Sequence, residues 1–206
     1  SINNFALFND RLGNYEKAEQ LYKESLDMSR RLYRGDHHSV VSSLNNLAMF
    51  YSKIGKNEKA GPLLKEAVEM SRRLYKGDHP KLAQSINNIA LYYERQDNYT
   101  SAEECYNEVV NMCRRIYKKP HPHLIYAINN LAGFYNDCGK YESAEPLYEE
   151  LLEMSRRIYQ SNHPTMANII NNIAYFHECN GNYRAALPLY EEELSIFRKV
   201  LTDYFP

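Results

Sequence analysis

Paired asparagines at a fixed interval are the main polar pattern of this sequence. The segments SINNFA, SLNNLA, SINNIA, AINNLA and IINNIA begin at residues 1, 43, 85, 127 and 169, so the pair recurs every 42 residues. A carboxamide carries two N–H donors and one carbonyl acceptor, and it has no charge that binding would have to desolvate. It therefore suits the N–H and C=O groups of an extended polypeptide. The repetition predicts a row of amides that can hold a polypeptide backbone.

Four histidines follow the same interval, His37, His79, His121 and His163. Shared metal coordination is not expected, because packed helices lie about 9–10 Å apart and metal–nitrogen bonds are about 2 Å long. We expect these side chains to cap the helices that follow them. The sequence contains no GxSxG, P-loop, HExxH or glycine-rich dinucleotide motif. We therefore predict no enzymatic activity, no cofactor and no metal site.

The bulk composition excludes several classes of partner. The formal net charge is −1 and the sequence pI is about 6.6, so no nucleic-acid footprint is expected. No apolar run approaches the roughly 18 residues of a membrane-spanning helix, and no secretion signal is visible. The four cysteines form no CxxC pair, which is typical of reduced thiols. We expect a cytoplasmic protein without membrane insertion.

Each period predicts two helices. Spacing of i, i+3, i+4 and i+7 predicts an apolar stripe on the first helix of the second period, made by Leu44, Leu47, Ala48 and Tyr51. Gly55 ends that helix, because glycine enters the left-handed conformation without steric cost. Asp97 stands at this position in the third period, so that turn is expected to be less well satisfied. The second helix begins near residue 57 and ends before the GDHP-type segment.

Stacked pairs can bury apolar stripes that one pair leaves exposed. The fold class is therefore predicted to be all-α, a single array over 1–206 of five antiparallel helix pairs: about 1–37, 38–79, 80–121, 122–163 and 164–206. Ser1 aligns with Ser43 inside a first helix, so the first pair is truncated. Pro206 aligns with Pro80, where a sixth pair would begin. We expect an excerpt of a longer chain, and uncapped ends that can self-associate.

Three of the second helices contain a proline at an internal position, where helices usually exclude it. Pro62, Pro146 and Pro188 lie inside them, where a proline removes a backbone hydrogen bond and usually kinks the helix. Recurrence in three periods indicates that the array accommodates this residue, with a small bend as one way to do so. The SRR and CRR runs near the ends of these helices are expected to be solvated and to complement the helix dipole. A basic ridge for an acidic partner is the alternative.

The segment LNNLAMFYSKIGKNEKAGPLLKEAVEMSRRLYKGDHP resembles the 42-residue tetratricopeptide repeat of kinesin light chains and their relatives. Departures from the family pattern include Asn57, where the other periods have Tyr, and three larger residues in place of Ala67: Val109, Leu151 and Glu193. The resemblance implies a right-handed superhelical α-solenoid. It also implies that a second stripe of each first helix lines a concave groove, in which the second asparagine of each pair holds the main chain of a peptide.

We therefore predict a peptide-binding groove of about 35–40 Å, long enough for about ten extended residues. Its candidate residues are Asn4, Asn45, Asn46, Met49, Lys53, Gln84, Asn87, Asn88, Leu91, Arg95, Tyr126, Asn129, Asn130, Asn136, Asn168, Asn171, Asn172 and Tyr175. The asparagines have a second interpretation, in which they bond to one another between adjacent repeats. For the first member of each pair both roles stay open. For the second member the family resemblance favours ligand contact.

The sequence favours two candidate functions. The first is a protein–protein interaction scaffold that binds an extended or short helical peptide in the groove, as a cargo or adaptor module does. The alternative is a regulatory or oligomerising arm of a larger enzyme or signalling protein. The expected partner in both cases is a protein or peptide.

Overall fold

The computed structural model describes residues 1–159 and 163–204, with side chains up to residue 199. The regular structure of these described ranges consists of ten α-helices and contains no strand. Their bounds are α1 (Ile2–Arg11), α2 (Tyr15–Leu32), α3 (His38–Lys53), α4 (Asn57–Leu74), α5 (Pro80–Arg95), α6 (Tyr99–Ile116), α7 (Pro122–Asp137), α8 (Tyr141–Ile158), α9 (Pro164–Cys179) and α10 (Tyr183–Tyr204). The predicted helix pairs are confirmed. Pro206 lies outside the described residues.

The chain divides into two compact units. The N-terminal unit comprises Ser1–Met112, the C-terminal unit begins at Cys113, and the boundary falls within α6. In the N-terminal unit α3 packs against α4 and α4 against α5, around fully buried side chains such as Leu44, Leu64 and Ile86. In the C-terminal unit α7, α8 and α9 pack in the same order around Ile128, Leu151 and Ile170. Burying each such side chain contributes about 1.5–3 kcal/mol.

The turns within the pairs use the left-handed conformation that the glycines predict. Gly55 has φ +75°, and Lys56 N–H donates to the carbonyl of Tyr51 at 2.9 Å. Asp97 adopts φ +54°, and the next residue makes the same bond to the carbonyl of Tyr93, also at 2.9 Å. The poorer turn expected at Asp97 is not observed. Aspartate is one of the few residues other than glycine that tolerates this region.

The repeated histidines cap the first helices, as expected. The Nδ1 atom of His79 accepts a hydrogen bond from the backbone N–H of Lys81 at 3.1 Å, and its ring stacks on Tyr75 with centroids 3.8 Å apart. The same bond occurs at His37, His121 and His163. Burial lowers the pKa of His37 and of His121 below the ordinary value. Only the neutral ring can accept the capping bond, so these caps require deprotonated imidazoles.

The helices continue through their internal prolines. Pro62 lies in α4 and Pro146 in α8, and both side chains are exposed. The carbonyl that loses its partner, at Glu58 in α4, belongs to an exposed residue as well. Water can therefore replace the missing hydrogen bond, which explains why proline is tolerated there.

Apolar side chains are exposed on the first and the last helix pair. Phe50 is buried against Tyr22 with ring centroids 5.3 Å apart, whereas Phe8, at the equivalent position of the first pair, is 56% exposed. Tyr183 and Leu187 on α10 are exposed as well. Self-association through these faces stays a prediction.

Candidate peptide-binding surface

The first helices carry every predicted groove residue, and within each unit they contact one another. In the N-terminal unit α3 contacts both α1 and α5, and in the C-terminal unit α7 contacts α9. The exposed members of the set are Asn4, Asn46, Lys53, Gln84, Arg95, Tyr126, Asn168 and Tyr175. The half-buried members are Met49, Asn88, Leu91, Asn129, Asn130, Asn171 and Asn172, and the buried ones are Asn45, Asn87 and Asn136.

Buried amides of the N-terminal unit join neighbouring repeats. Asn45 donates from Nδ2 to the hydroxyl of Ser85 at 3.1 Å, and its Oδ1 accepts from Nδ2 of Asn88 at 3.1 Å. Ser85 also lies 3.0 Å from the hydroxyl of Ser71 in α4. This chain of bonds crosses from α3 to α5 and on to α4. Asn45 therefore fixes the stacking of two repeats and is too buried to bind a ligand in this arrangement.

The C-terminal unit has one of these hydrogen bonds between neighbouring repeats. Asn172 donates from Nδ2 to Oδ1 of Asn129 at 2.8 Å, which is the same pairing of second and first asparagines across adjacent repeats. Asn171 instead donates to Glu193 of α10 at 3.0 Å. Alanine and isoleucine stand where Ser43 and Ser85 stand in the N-terminal unit, so the hydroxyl link has no counterpart here.

A second set of amides on the first helices makes no such bonds. The side chains of Asn4, Asn46, Gln84 and Asn168 are exposed and have no hydrogen-bond partner among the described residues. Exposed or half-buried apolar groups lie on the same helices, with Leu7 42% and Tyr175 51% exposed. The surface thus combines free amide donors and acceptors with apolar contact area, which is the chemistry that an extended polypeptide needs.

The charged groups of the surface differ between the two units. Lys53 pairs with Asp10 at 2.8 Å, and this hydrogen bond raises the pKa of Lys53. Arg95 donates to the hydroxyl of Ser52 at 3.0 Å. Both cations are thus engaged with the preceding repeat, which the sequence alone did not predict. In the C-terminal unit Asp137 takes the equivalent place and is exposed.

Ion pairs also join successive second helices. Arg30 places Nη2 at 2.8 Å from both carboxylate oxygens of Glu66, which lies 36 residues further along the chain. The same spacing pairs Arg72 with Glu108, Arg114 with Glu150 and Arg156 with Glu192. These arginines are exposed, as a solvated face requires, and the ion pairs with the next second helix are an addition that the sequence analysis does not contain. The signal that could have shown the pairs is a glutamate that recurs 36 residues after each first arginine.

No arrangement typical of metal binding occurs in the described part of the chain. No three His, Cys, Asp or Glu side chains converge there as metal ligands would. Burial raises the pKa of Cys105 and of Cys113 to about 11, so these thiols are poor nucleophiles at neutral pH. None of the described helices has both the length and the apolar character required to cross a membrane. Cytoplasmic localisation stays a prediction.

Comparison with known proteins gives matches to the sequence family and to solved structures. The family model for the tetratricopeptide repeat matches residues 1–71, 39–115 and 124–199. Curated protein sequences give no match.

The similar solved structures show the fold. A putative kinesin light chain with nearly identical TPR-like repeats, from Podosopora anserina, is 23% identical over 97% of this chain and 95% of its own, with a TM-score of 0.80. BtubC (BKLC) from P. vanneervenii is 21% identical over 100% of this chain and 81% of its own, with a TM-score of 0.84. A Rap protein complexed with competence and sporulation factor is 14% identical over 98% of this chain and 64% of its own, with a TM-score of 0.66. The chain belongs to the tetratricopeptide repeat family.

Proposed function

We propose that this chain is a protein–protein interaction scaffold that binds a peptide segment of a partner on the exposed face of its first helices, as a cargo or adaptor module does. One observation carries the proposal: the amides of these helices divide into two sets. Asn45 and Asn129 serve the contact between repeats, whereas Asn46, Gln84 and Asn168 are exposed and unpaired. Stacking alone does not explain the second set.

The chemistry of the exposed set favours a polypeptide ligand. A carboxamide can donate to a backbone carbonyl and accept from a backbone N–H, and each such bond contributes about 0.5–1.5 kcal/mol. The half-buried Met49 and Leu91 offer apolar contacts between the amides. Methionine adapts its shape to different side chains, so the surface suits recognition of a backbone more than of one sequence.

A similar solved structure supports the class of function. The Rap protein shares the fold of this chain and is complexed with competence and sporulation factor. The surface by which that protein holds its partner is not carried over to this chain. What the likeness supports is that a repeat array of this kind can serve as a receptor for another molecule.

The proposal is tested with an array of ten-residue peptides. The wild-type chain is expected to bind a subset of the peptides, and the double variant Asn46→Ala/Gln84→Ala is expected to bind them at least about ten-fold more weakly, because each amide contributes about 1 kcal/mol. Gln20→Ala is the matched control, since Gln20 is an exposed amide on the second helix α2. Equal binding by the double variant and the control, or no binding by the wild type, contradicts the proposal.

A further inference from the structure

The contact between successive repeats uses the same two faces each time. The second helix of one repeat packs against the first helix of the next, as α2 does on α3, α4 on α5 and α8 on α9. In the first of these contacts Phe50 lies against Tyr22 with ring centroids 5.3 Å apart, in one buried cluster with Leu26 and Leu47. A repeat within the array therefore presents one face to the repeat before it and a complementary face to the repeat after it.

The helix α1 exposes the face that a preceding repeat covers elsewhere. Phe8 takes the position of Phe50 and is 56% exposed, whereas Phe50 is 3% exposed. Phe5 takes the position of the buried Leu47 and is exposed as well. We call this surface of Phe5 and Phe8 the leading face. Adjacent exposed aromatic side chains are typical of an interaction site.

The helix α10 exposes the face that a following repeat covers elsewhere. Its apolar side chains are spaced by three or four residues and so form one stripe, which we call the trailing face: Leu187, Tyr190, Leu194 and Phe197. Leu194 takes the position of the buried Leu26 and is 49% exposed. At two positions where α2 has the polar residues Glu and Ser, α10 has the exposed Leu187 and Phe197. The trailing face is thus more apolar than its counterpart on α2, although it is exposed.

Charged groups of the second helices match across the same two faces. Arg30 pairs with Glu66 of the next repeat, and this pair recurs with the period of 42 residues. Arg198 follows Arg156 by 42 residues, and Glu24 precedes Glu66 by 42. Both Arg198 and Glu24 are exposed, and neither has an ion-pair partner among the described residues. They are the two halves of one further pair of the same kind.

The first helices give a second match of opposite polarity. Asp10 binds Lys53, which lies 43 positions later in the chain, at 2.8 Å. At the position of Asp10 the helix α9 has Glu178. At the position of Lys53 the helix α1 has Arg11, and both Glu178 and Arg11 are exposed. The side of the trailing face thus carries a cation and an anion, and the side of the leading face carries their two counter-ions.

We propose that this chain associates head to tail with a second copy of itself, the trailing face of one copy packing on the leading face of the next in the register of the internal repeats. The occupant is another copy because one chain carries both halves of the contact, in apolar surface and in charge. Contacts between two like faces would leave Arg198 and Glu24 without an opposite charge. A contact between unlike faces is heterologous, so association continues beyond the dimer unless a ring closes.

Sedimentation velocity at increasing concentrations of the full chain tests the contact. We expect the weight-average sedimentation coefficient of the wild type to rise with concentration at or below about 1 mM chain. Phe8→Asp and Leu194→Asp each place a charge in one of the two apolar faces and should abolish the rise. Both side chains are exposed, so each variant should stay folded, which circular dichroism checks.

Charge reversal tests the register. Arg198→Glu and Glu24→Arg should each weaken association by roughly five- to ten-fold, because an ion pair becomes a contact of like charges. An equimolar mixture of the two variants should recover the association of the wild type, since every contact between unlike copies again joins opposite charges. Glu69→Arg is the matched control, because it makes the same charge change at an exposed residue of α4, which carries neither face.

Three results overturn the proposal. The first is a wild type that stays monomeric at about 1 mM. The second is association that survives Phe8→Asp, because another surface, such as two trailing faces, would then mediate it. The third is a mixture of the two charge variants that associates no better than either variant alone. The inference does not depend on peptide binding, which the peptide array measures separately.

Discussion

Replacement of Asn45 by alanine tests whether the buried amides hold the repeats together. The substitution removes the acceptor of Asn88 and the donor to Ser85, both at 3.1 Å, across the contact between α3 and α5. The neighbouring variant Asn46→Ala is a matched control, because it makes the same change in the same helix at an exposed side chain. Helix propensity favours alanine over asparagine equally at both positions, so it cancels in the difference.

The expected difference follows from the two bonds. Each net hydrogen bond contributes about 1 kcal/mol. Ser85 keeps its contacts with Ser71 and with the carbonyl of Lys81, and Asn88 is half-buried, so water can replace part of the loss. We therefore expect Asn45→Ala to lower the free energy of unfolding by about 1–2 kcal/mol relative to Asn46→Ala.

Urea unfolding followed by far-ultraviolet circular dichroism measures this difference, with each transition fitted separately because the chain has two compact units. A double-mutant cycle between Asn45→Ala and Asn88→Ala should give a coupling of about 1 kcal/mol. Equal unfolding free energies for Asn45→Ala and Asn46→Ala would refute the reasoning. Additive effects in the cycle would show that the two amides do not interact.

Three further predictions concern glycine packing and pH. Gly133→Ala should raise the free energy of unfolding by roughly 0.5–1 kcal/mol, because nothing lies within 4 Å of the new Cβ. Gly61→Ala should lower the free energy of unfolding, because its new Cβ would lie 2.6 Å from the Tyr92 hydroxyl. Adding Tyr92→Phe should recover part of that loss in the same urea assay; a stabilising Gly61→Ala contradicts the packing argument. The hydrogen bonds from Lys23 and Lys56 lower the pKa of Glu19 from 4.5 to about 2. On acidification the unfolded state therefore binds the proton first. The stability that the Glu19 carboxylate contributes to the wild type should be lost as the pH falls from 4.5 to about 2. Glu19→Gln should show a smaller loss of melting temperature over that range, and an identical pH profile would contradict this. Burial holds the pKa of His37 below 6.5, so stability should fall as the pH drops below that value. His37→Asn keeps a cap that does not titrate, so the melting temperature of this variant should depend less on pH between about pH 7 and pH 5. The same pH dependence in the variant and the wild type would argue against the neutral cap.

The local features of the fold could be predicted from the sequence because they depend on nearby residues. The left-handed turn at Gly55 and the cap at His79 each involve groups within a few positions along the chain. The helix bounds follow from the apolar period in the same way. Asp97 shows the limit of such rules, since a residue with a weaker preference than glycine adopts the same turn with the same hydrogen bonds.

The interactions between repeats could not be predicted, because they depend on the register of packed helices. The pair of Arg30 with Glu66 spans 36 residues, and the bond of Asn88 with Asn45 spans 43. Neither spacing equals the period of 42. The sequence places the two asparagines of a pair side by side. Only the packing of α3 against α5 shows that Asn45 is buried while Asn46 stays exposed.

The location of a bound peptide tests the central claim most directly. The tightest peptide from the array is added to the ¹⁵N-labelled chain, and the amide shifts are mapped onto the helices. The account predicts that the largest shifts fall on exposed positions of α1, α3, α5, α7 and α9, including Asn46 and Gln84. Shifts confined to the second helices α2, α4, α8 and α10 would contradict it.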